Sequence, residues 1–455
     1  MTHPLRKLVR EKQLHTQGTA DRENVKKKIE LWDVLRILVP LLVAAYLFQQ
    51  AMLDGLDLRV YWAGARELAT GGDLYAPGLP GTPYGGMAFT YPPFAAAIMA
   101  PMAFLPADVA LAIQTVSNLV IAGVLGAGIT RYLMVKGAVR VPPRAAQWWL
   151  TSAFVAGLML LLGPWRNSLA LGQINPLLML LIAADLLGST RRRPNGLLPR
   201  GILSGIAAGI KLTPLVFLLY FVVRKDFRGA ARMAASFAAT VGLMVLMAPD
   251  LSLRYWLTAL RDTSRVGTLS RFENISLRGF IARLHVDESL GNVLWIGASL
   301  AVIALGAVIV YRLRSAPDQW EAVSATALVM LLISPVSWSH HWVWVALVVP
   351  VIIGRAVPAG SEAGCSDAFR WLRFLRSWPG VLAVLTVAAF SLQPPEAAKL
   401  SGSPEPYAAI SAFSELVAES GMFAAVLLLV WFAVSRSGSL RSNPRALPEP
   451  DPTVL

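Results

Sequence analysis

The feature that most constrains this sequence is a series of long apolar runs separated by short polar stretches. Examples are Ile37 to Ala51, Val109 to Ile129, Leu290 to Val310 and Met422 to Val434. As a helix, an apolar run of about 20 residues crosses the ~30 Å hydrocarbon core of a bilayer. Only 15% of the residues are charged, compared with about 25% in soluble globular chains. The sequence therefore predicts an all-α, polytopic membrane protein.

Lysine and arginine residues gather at the ends of the apolar runs. The net charge of +14 would suit a nucleic-acid partner, but clusters in these places are typical of cytoplasmic loops. We interpret them as topology signals and expect no nucleic-acid binding. They predict a cytoplasmic basic segment over residues 1–30, a transmembrane domain over 31–435 and a disordered cytoplasmic tail over 436–455. Both termini are then cytoplasmic.

The same signals predict ten crossings and two segments that enter the membrane without crossing it. The crossings are near residues 31–52, 108–131, 146–163, 173–189, 230–248, 290–311, 321–336, 341–354, 378–393 and 421–435. Phe94 to Leu105 is too short to span, and Ile202 to Val223 has basic residues at both ends and is broken by Gly209, Lys211 and Pro214. Such a break predicts a hairpin or two half-helices that line a cavity. The large outer loops are 53–93 and 249–289.

Several polar residues near the predicted outer boundary could carry chemistry, and each also has an ordinary structural interpretation. Asp57 follows the first span, where apolar surroundings could raise its basicity enough for a general base, but a loop aspartate is as simple a reading. Lys211 would cost ~3 kcal/mol in lipid and so must face a cavity, a partner or the interface. His340 and His341 lie among tryptophans, where an interfacial aromatic belt is the alternative.

An ordered set of motifs makes a family resemblance specific over Trp32 to Val349. The set is Asp57-x-x-x-Tyr61, Gly71-x-x-Leu74-Tyr75 with Gly72 and Asp73 between them, Tyr91-Pro92-Pro93, Gly172-Gln173-Ile174-Asn175, Gly209-Ile210-Lys211-Leu212-Thr213-Pro214, Asn274-Ile275-Ser276 and Ser334-Pro335-Val336-Ser337-Trp338-Ser339-His340-His341. Together these motifs resemble glycosyltransferase family 87. The resemblance implies the C-type glycosyltransferase (GT-C) fold, with about 10–12 membrane helices, short re-entrant segments and an extracytoplasmic active site in the plasma membrane.

The resemblance also implies a reaction. It is inverting transfer of mannose from polyprenyl-phosphate mannose to a phosphatidylinositol mannoside, in an α-1,2 linkage that converts a tetramannoside to a pentamannoside. The aspartate of the first outer loop is the base in such families, and it corresponds here to Asp57 rather than Asp54 because of the spacing to Tyr61. The alternatives are branching of lipomannan or lipoarabinomannan and, from other classes, a lipid-linked-sugar transporter or a scaffold.

The resemblance and the residue types together predict the site. Asp57 and His340 are the predicted catalytic residues. The predicted substrate-binding residues are His341, Lys211, Tyr61, Arg59, Tyr91, Arg166, Gln173, Asn175, Arg271, Asn274 and Trp338. Arg and Lys side chains suit the phosphates of donor and acceptor. No metal or cofactor is expected, since the chain has one cysteine, Cys365, and lacks an Asp-x-Asp motif.

Overall fold

The computed structural model describes residues 31–83, 86–141, 145–188, 198–314, 319–357, 367–391 and 412–435. Throughout this part the chain forms helices and loops, with isolated backbone bridges between Leu79 and Met87 and between Asn274 and Trp338. The predicted N-terminal segment 1–30, the tail 436–455 and most of the last predicted outer loop lie outside the described residues.

Eighteen helices follow one another in the described residues. In chain order they are α1 (Leu31–Leu53), α2 (Leu56–Thr70), α3 (Pro93–Met99), α4 (Ala107–Val135), α5 (Ala145–Leu160), α6 (Gly163–Ala170), α7 (Asn175–Leu187), α8 (Ile202–Ile210), α9 (Phe217–Val223), α10 (Phe227–Met247), α11 (Pro249–Arg254), α12 (Leu277–Arg283), α13 (Glu288–Arg312), α14 (Trp320–Ile333), α15 (Val345–Ala356), α16 (Asp367–Leu375), α17 (Trp378–Ser391) and α18 (Ala412–Val434). Short 3-10 turns cover Ala100–Phe104, Thr213–Val216, Thr263–Val266 and Ser339–Trp344.

The lengths of the helices bear on the predicted crossings. Four segments in the described residues are long and apolar enough to cross a membrane alone: α4, α10, α13 and Ser339–Ala356, which ends with α15. The bent pairs α1 with α2 (56°) and α5 with α6 (82°) bring the total to six if each pair is one span. At the other predicted crossings the apolar helices α7, α14, α17 and the apolar part of α18 are shorter, with 10–17 residues each, so crossings there stay predictions. The prediction of an all-α, polytopic membrane protein is confirmed.

Contacts between helix ends define two rims of the bundle. At one rim, which we call the Asp57 rim, the start of α2 is hydrogen-bonded to the end of α6. The 29 residues of α4 then extend ~43 Å away from that rim. At the far end of α4, the ring of Tyr132 stacks on Trp320 at 4.5 Å, and the next residue, Glu321, forms a buried ion pair with Arg355. We call this second end the basic rim.

The segment Ile202 to Val223 is a hairpin, which is one of the two arrangements that the sequence predicts. It consists of α8, the turn Thr213–Val216 and α9. Arg200, just before α8, donates a hydrogen bond of 3.2 Å to the hydroxyl of Tyr220 in α9, so both ends of the hairpin lie at the same rim. Arg224, after α9, donates to the carbonyl oxygen of Leu313 at the end of α13, and this places both ends at the basic rim. Lys211 therefore sits at the inner tip of the hairpin.

Small residues hold the hairpin against α10. Gly205 and Gly209 are four residues apart and face this helix, and a Cβ atom at either position would lie 1.9 Å from the Ser236 hydroxyl or 2.2 Å from the Thr240 hydroxyl, respectively. Close approach of this kind is typical of helix pairs in membranes. The carboxylate of Asp185 in α7 accepts hydrogen bonds from the backbone N–H groups of Gly201 and Ser204, satisfying donors that the start of α8 leaves open. The position of Lys211 is thus fixed from both sides.

Candidate active site

Asp57 lies in the first turn of α2, just beyond the bend that separates this helix from the span α1. The bend needs Gly55, whose φ of 63° is left-handed and whose missing side chain leaves room for Leu111. The N–H groups of Asp57 and Leu58 donate to the carbonyl oxygen of Leu171, both at 3.0 Å. The open donors of the α2 N-terminus are therefore satisfied by the segment that leads into Gln173.

The carboxylate of Asp57 is partly buried and accepts a short hydrogen bond. Nε2 of Gln173 donates to Oδ2 of Asp57 at 2.6 Å. Burial raises the pKa of Asp57 to about 6. The hydrogen bond from Gln173 and the charge of Lys211 lower it, but they do not offset the effect of burial. A carboxylate with a pKa close to neutral is suited to accept a proton from a hydroxyl group at physiological pH.

Gln173 is the centre of a buried polar network. Its Oε1 accepts hydrogen bonds from the Tyr61 hydroxyl at 2.9 Å and from Nδ2 of Asn175 at 3.0 Å. The Tyr61 hydroxyl also lies 2.9 Å from the hydroxyl of Tyr91. Four of the predicted substrate-binding residues, which come from three separate segments of the chain, are thereby brought together beside Asp57.

Lys211 joins this network from the hairpin. Its Nζ donates to Oδ1 of Asn175 at 3.1 Å and lies 3.0 Å from Nε2 of His341. The ring of Tyr91 lies below the ammonium group, 5.4 Å from ring centroid to Nζ. The amides of Gln173 and Asn175 therefore connect the carboxylate of Asp57 to a cation and an imidazole.

A small cavity opens at this cluster. Polar side chains, Asn175, Lys211, Ser334, Ser337 and His341, line one part of it. The remaining wall is mostly apolar: Leu178, Ile182, Thr213, Pro214, Met330, Leu331 and Trp344. The arrangement suits a ligand with an anionic head and an apolar chain.

His340 contributes mainly through its backbone. Its carbonyl oxygen accepts hydrogen bonds from the Ser168 hydroxyl at 3.0 Å and from Nδ2 of Asn175 at 3.2 Å. Its buried ring lies edge-on to the ring of His341, with 4.7 Å between centroids. In this structure His341, rather than His340, contacts Lys211.

The other predicted site residues lie outside the network and have partners of their own. Arg59 pairs with the exposed Asp108 at 3.2 Å. Arg166 donates to the carbonyl oxygens of Leu161 and Ser391. Arg271 pairs with Glu273 at 3.2 Å and lies over the ring of Trp338, with 5.9 Å from the guanidinium carbon to the centroid.

Asn274 and Trp338 shape the loop that carries the histidines. Oδ1 of Asn274 accepts from the N–H of Ser337 at 2.8 Å, and its Nδ2 donates to the carbonyl oxygen of Pro335 at 3.2 Å. The N–H of Trp338 donates to Nδ1 of His341 at 3.2 Å. These two predicted substrate-binding residues therefore hold the position of His341.

Three other arginines of the segment 249–289, which have side chains suited to phosphate, bind the protein itself. Arg265 donates to three backbone carbonyls of the first outer loop, at Tyr75, Ala76 and Phe89. Arg254 pairs with Asp73. Arg283 forms a buried ion pair with Glu419 in α18. These contacts join the segment around Tyr75, the segment 254–283 and α18 at one rim.

Sequence reasoning did not identify Gln114 and Asn118. Both lie in α4, and their side-chain amides donate to the carbonyl oxygen of Gln173 at 3.2 Å and 3.0 Å. Their spacing of four residues places two amides on one face of an apolar helix. This pattern is the sequence signal that could have identified them. Among the described residues, no group of three or more His, Cys, Asp or Glu could hold a metal ion, and a metal-independent reaction stays a prediction.

The fold and the motifs define a class of protein: a polytopic, all-α membrane protein with a polar site at one rim. The chain belongs to glycosyltransferase family 87, and the sequence model of this family matches residues 89–335. It is 38% identical over 320 residues to the polyprenol-phosphate-mannose-dependent alpha-(1-2)-phosphatidylinositol mannoside mannosyltransferase of Mycolicibacterium smegmatis, covering 67% of this chain and 70% of the relative.

Two further relatives come from Mycobacterium tuberculosis. An enzyme of the same description is 37% identical over 303 residues, which cover 65% of this chain and 70% of the relative. A polyprenol-phosphate-mannose-dependent alpha-(1-2)-phosphatidylinositol pentamannoside mannosyltransferase is 35% identical over 307 residues, covering 66% of this chain and 67% of the relative. No solved structure matches the chain.

Proposed function

We propose that the chain transfers mannose from polyprenyl-phosphate mannose to a phosphatidylinositol mannoside and forms an α-1,2 linkage. The printed descriptions of the relatives support the donor, the acceptor class and the linkage. The observation that carries the chemistry is a half-buried carboxylate, Asp57, joined through Gln173 and Asn175 to the cation Lys211.

The reaction is a single displacement at the anomeric carbon. Asp57 takes the proton of an acceptor hydroxyl, and the acceptor oxygen forms a bond to the anomeric carbon. The bond from that carbon to the phosphate oxygen breaks, and its electron pair leaves with polyprenyl phosphate. Because the attack comes from the face opposite to the leaving group, a β-linked donor gives an α-mannoside.

Lys211 and His341 receive the leaving phosphate. Negative charge develops on the phosphate as the bond breaks, and a cation fixed at that place stabilises the transition state. The cavity beside Lys211 supports this role, because its lining combines the polar groups of Lys211 and His341 with apolar side chains such as Leu178, as a phosphate joined to an apolar chain would require. No metal ion or cofactor takes part in the proposed reaction.

The Asp57 rim faces the extracytoplasmic side of the plasma membrane. Arg200, Arg224 and Arg355 lie at the opposite rim with their backbone and side-chain partners, and arginine is enriched on the cytoplasmic side of membrane proteins. A lipid-linked donor also fits an outward-facing site, since nucleotide sugars are cytoplasmic. Both termini then lie in the cytoplasm.

The acceptor is tested by transfer assays with the purified protein in nanodiscs. We expect radiolabelled polyprenyl-phosphate mannose and phosphatidylinositol tetramannoside to give a pentamannoside whose new linkage an α-1,2-specific mannosidase cleaves. Pentamannoside and lipomannan are offered in parallel, because one relative is described as acting on the pentamannoside. Product from lipomannan alone would favour the branching alternative. A protein that moves the donor across vesicles without forming product would be a transporter.

A further inference from the structure

We propose that Gln173 is a positioning residue for Asp57: it holds Oδ2 of the carboxylate and leaves Oδ1 to meet the acceptor hydroxyl. The inference rests on the proposed function and assigns Gln173 a different role from the substrate contact that the sequence suggests. Among the described residues, the carboxylate accepts its side-chain hydrogen bond at Oδ2, from Gln173.

The orientation of the Gln173 amide is determined by its neighbours. A glutamine side chain offers one acceptor oxygen and one donor nitrogen. Here the Tyr61 hydroxyl and Nδ2 of Asn175 both donate to Oε1, so the oxygen must face them and Nε2 must face Asp57. In the reversed orientation, Nε2 would face the two donors of Tyr61 and Asn175, and Oε1 would face the carboxylate of Asp57. The amide therefore has one stable orientation.

The backbone on both sides of the contact is fixed as well. The carbonyl oxygen of Gln173 accepts from Asn118 and Gln114. The preceding Gly172 has a left-handed φ of 68°, and a Cβ atom there would lie 2.7 Å from Cβ of Leu58. Since the N–H of Asp57 is bound to the adjacent Leu171, donor and carboxylate belong to one rigid unit. Catalytic groups need such rigid support to stay within the productive geometry.

Gln173 also lowers the pKa of the base, Asp57. Four ionisable groups face Asp57: Asp54 at the bend, Tyr61 in α2, Tyr91 before α3 and Lys211 from the hairpin. Burial raises the pKa of Asp57, and the hydrogen bond from Gln173 is the largest opposing contribution. Loss of this bond therefore makes the carboxylate hold its proton at higher pH.

The first test is the pH dependence of mannose transfer by Gln173→Met, which keeps the side-chain length but removes the donor. We expect kcat to fall with KM for the acceptor nearly unchanged, and the acid limb of the pH profile to move upward by about one pH unit. Gln173→Glu should move it at least as far, because a second carboxylate opposes ionisation. An acid limb unmoved in both variants, or a rise in KM alone, would overturn the inference.

A second measurement keeps the two proposals apart. Infrared difference spectra of the full-length protein, taken across a pH titration, report the protonated carboxyl band that Asp57→Asn removes. Its midpoint should be about 6 in the wild type and higher in Gln173→Met. If Gln173→Met does not fold, Tyr61→Phe removes one of the two donors that orient the amide, and a smaller upward shift is expected. An unshifted midpoint rejects the role of Gln173, whereas a wild type without transferase activity rejects the proposed function alone.

Discussion

Nζ of Lys211 lies 3.0 Å from Nε2 of His341, although 130 residues separate the two in the sequence. The hairpin tip carries the lysine, and the loop held by Asn274 carries the histidine. Both side chains line the cavity. This contact links two distant motifs of the site and identifies where an anionic leaving group would be bound.

Replacing Lys211 with Met should lower kcat for mannose transfer by about two orders of magnitude, because one charge that stabilises the leaving phosphate is lost. The measurement is the initial rate at saturating donor and acceptor. Lys136→Met is the matched control, since Lys136 follows α4 at the basic rim and should leave the rate near wild type. Equal rates in the two variants would contradict the role of Lys211.

The transfer rate should rise as the pH increases through about 6, the pKa to which burial raises Asp57. The base works only when ionised, so kcat/KM falls tenfold per pH unit well below this value. The profile is measured between about pH 4 and pH 8 with an unchanged lipid composition. A profile that is flat through this range would mean that Asp57 is not the base.

Gly209→Ala should destabilise the protein, because the new Cβ atom would lie 2.2 Å from the Thr240 hydroxyl and 2.8 Å from Cβ of the same residue. Overpacking of this kind costs about 1–3 kcal/mol, and the displaced hairpin would also move Lys211. Thermal unfolding in detergent, followed by light scattering, reports the change. Gly242→Ala is the control, since a Cβ atom at Gly242 meets nothing within 4 Å; similar losses in both variants would argue against the tight α8 to α10 contact.

Glu419→Gln should lower the free energy of unfolding by about 3–5 kcal/mol, because it leaves the buried guanidinium of Arg283 without its counter-charge. Both side chains of this pair are only 11% exposed. Asp108→Asn breaks the exposed pair with Arg59 and should cost no more than ~1 kcal/mol. Chemical unfolding of the two variants under one set of conditions gives the comparison, and a Glu419→Gln variant as stable as the wild type would refute it.

Much of the fold follows from patterns that act locally. Apolar runs predict the helices, and the two basic ends of Ile202 to Val223 predict a hairpin or two half-helices, since like ends belong on one side of a membrane. Lys211 at a break in this segment predicts a polar cavity, because an isolated cation in lipid is costly. These inferences need no knowledge of distant contacts.

The roles within the site depend on contacts that local patterns do not contain. Gln173 and Lys211 were predicted as substrate-binding residues, yet their relation through Asn175 appears only when α7 and the hairpin pack together. The guanidinium group of Arg265 is chemically suited to bind phosphate, but its partners are backbone carbonyls almost 190 residues away. Gln114 and Asn118 were not identified because amides in an apolar helix are equally typical of structural contacts between helices.

The most direct test of the account compares Asp57→Asn with Asp54→Asn in a single-turnover assay with radiolabelled polyprenyl-phosphate mannose and phosphatidylinositol tetramannoside. Asparagine keeps the shape of Asp57 but cannot accept the proton, whereas Asp54 caps the N–H of Leu56, a role that asparagine also fulfils. We expect Asp57→Asn to abolish formation of the pentamannoside while donor binding persists, and Asp54→Asn to retain it. Formation of product by Asp57→Asn at the wild-type rate would contradict the assignment of Asp57 as the base.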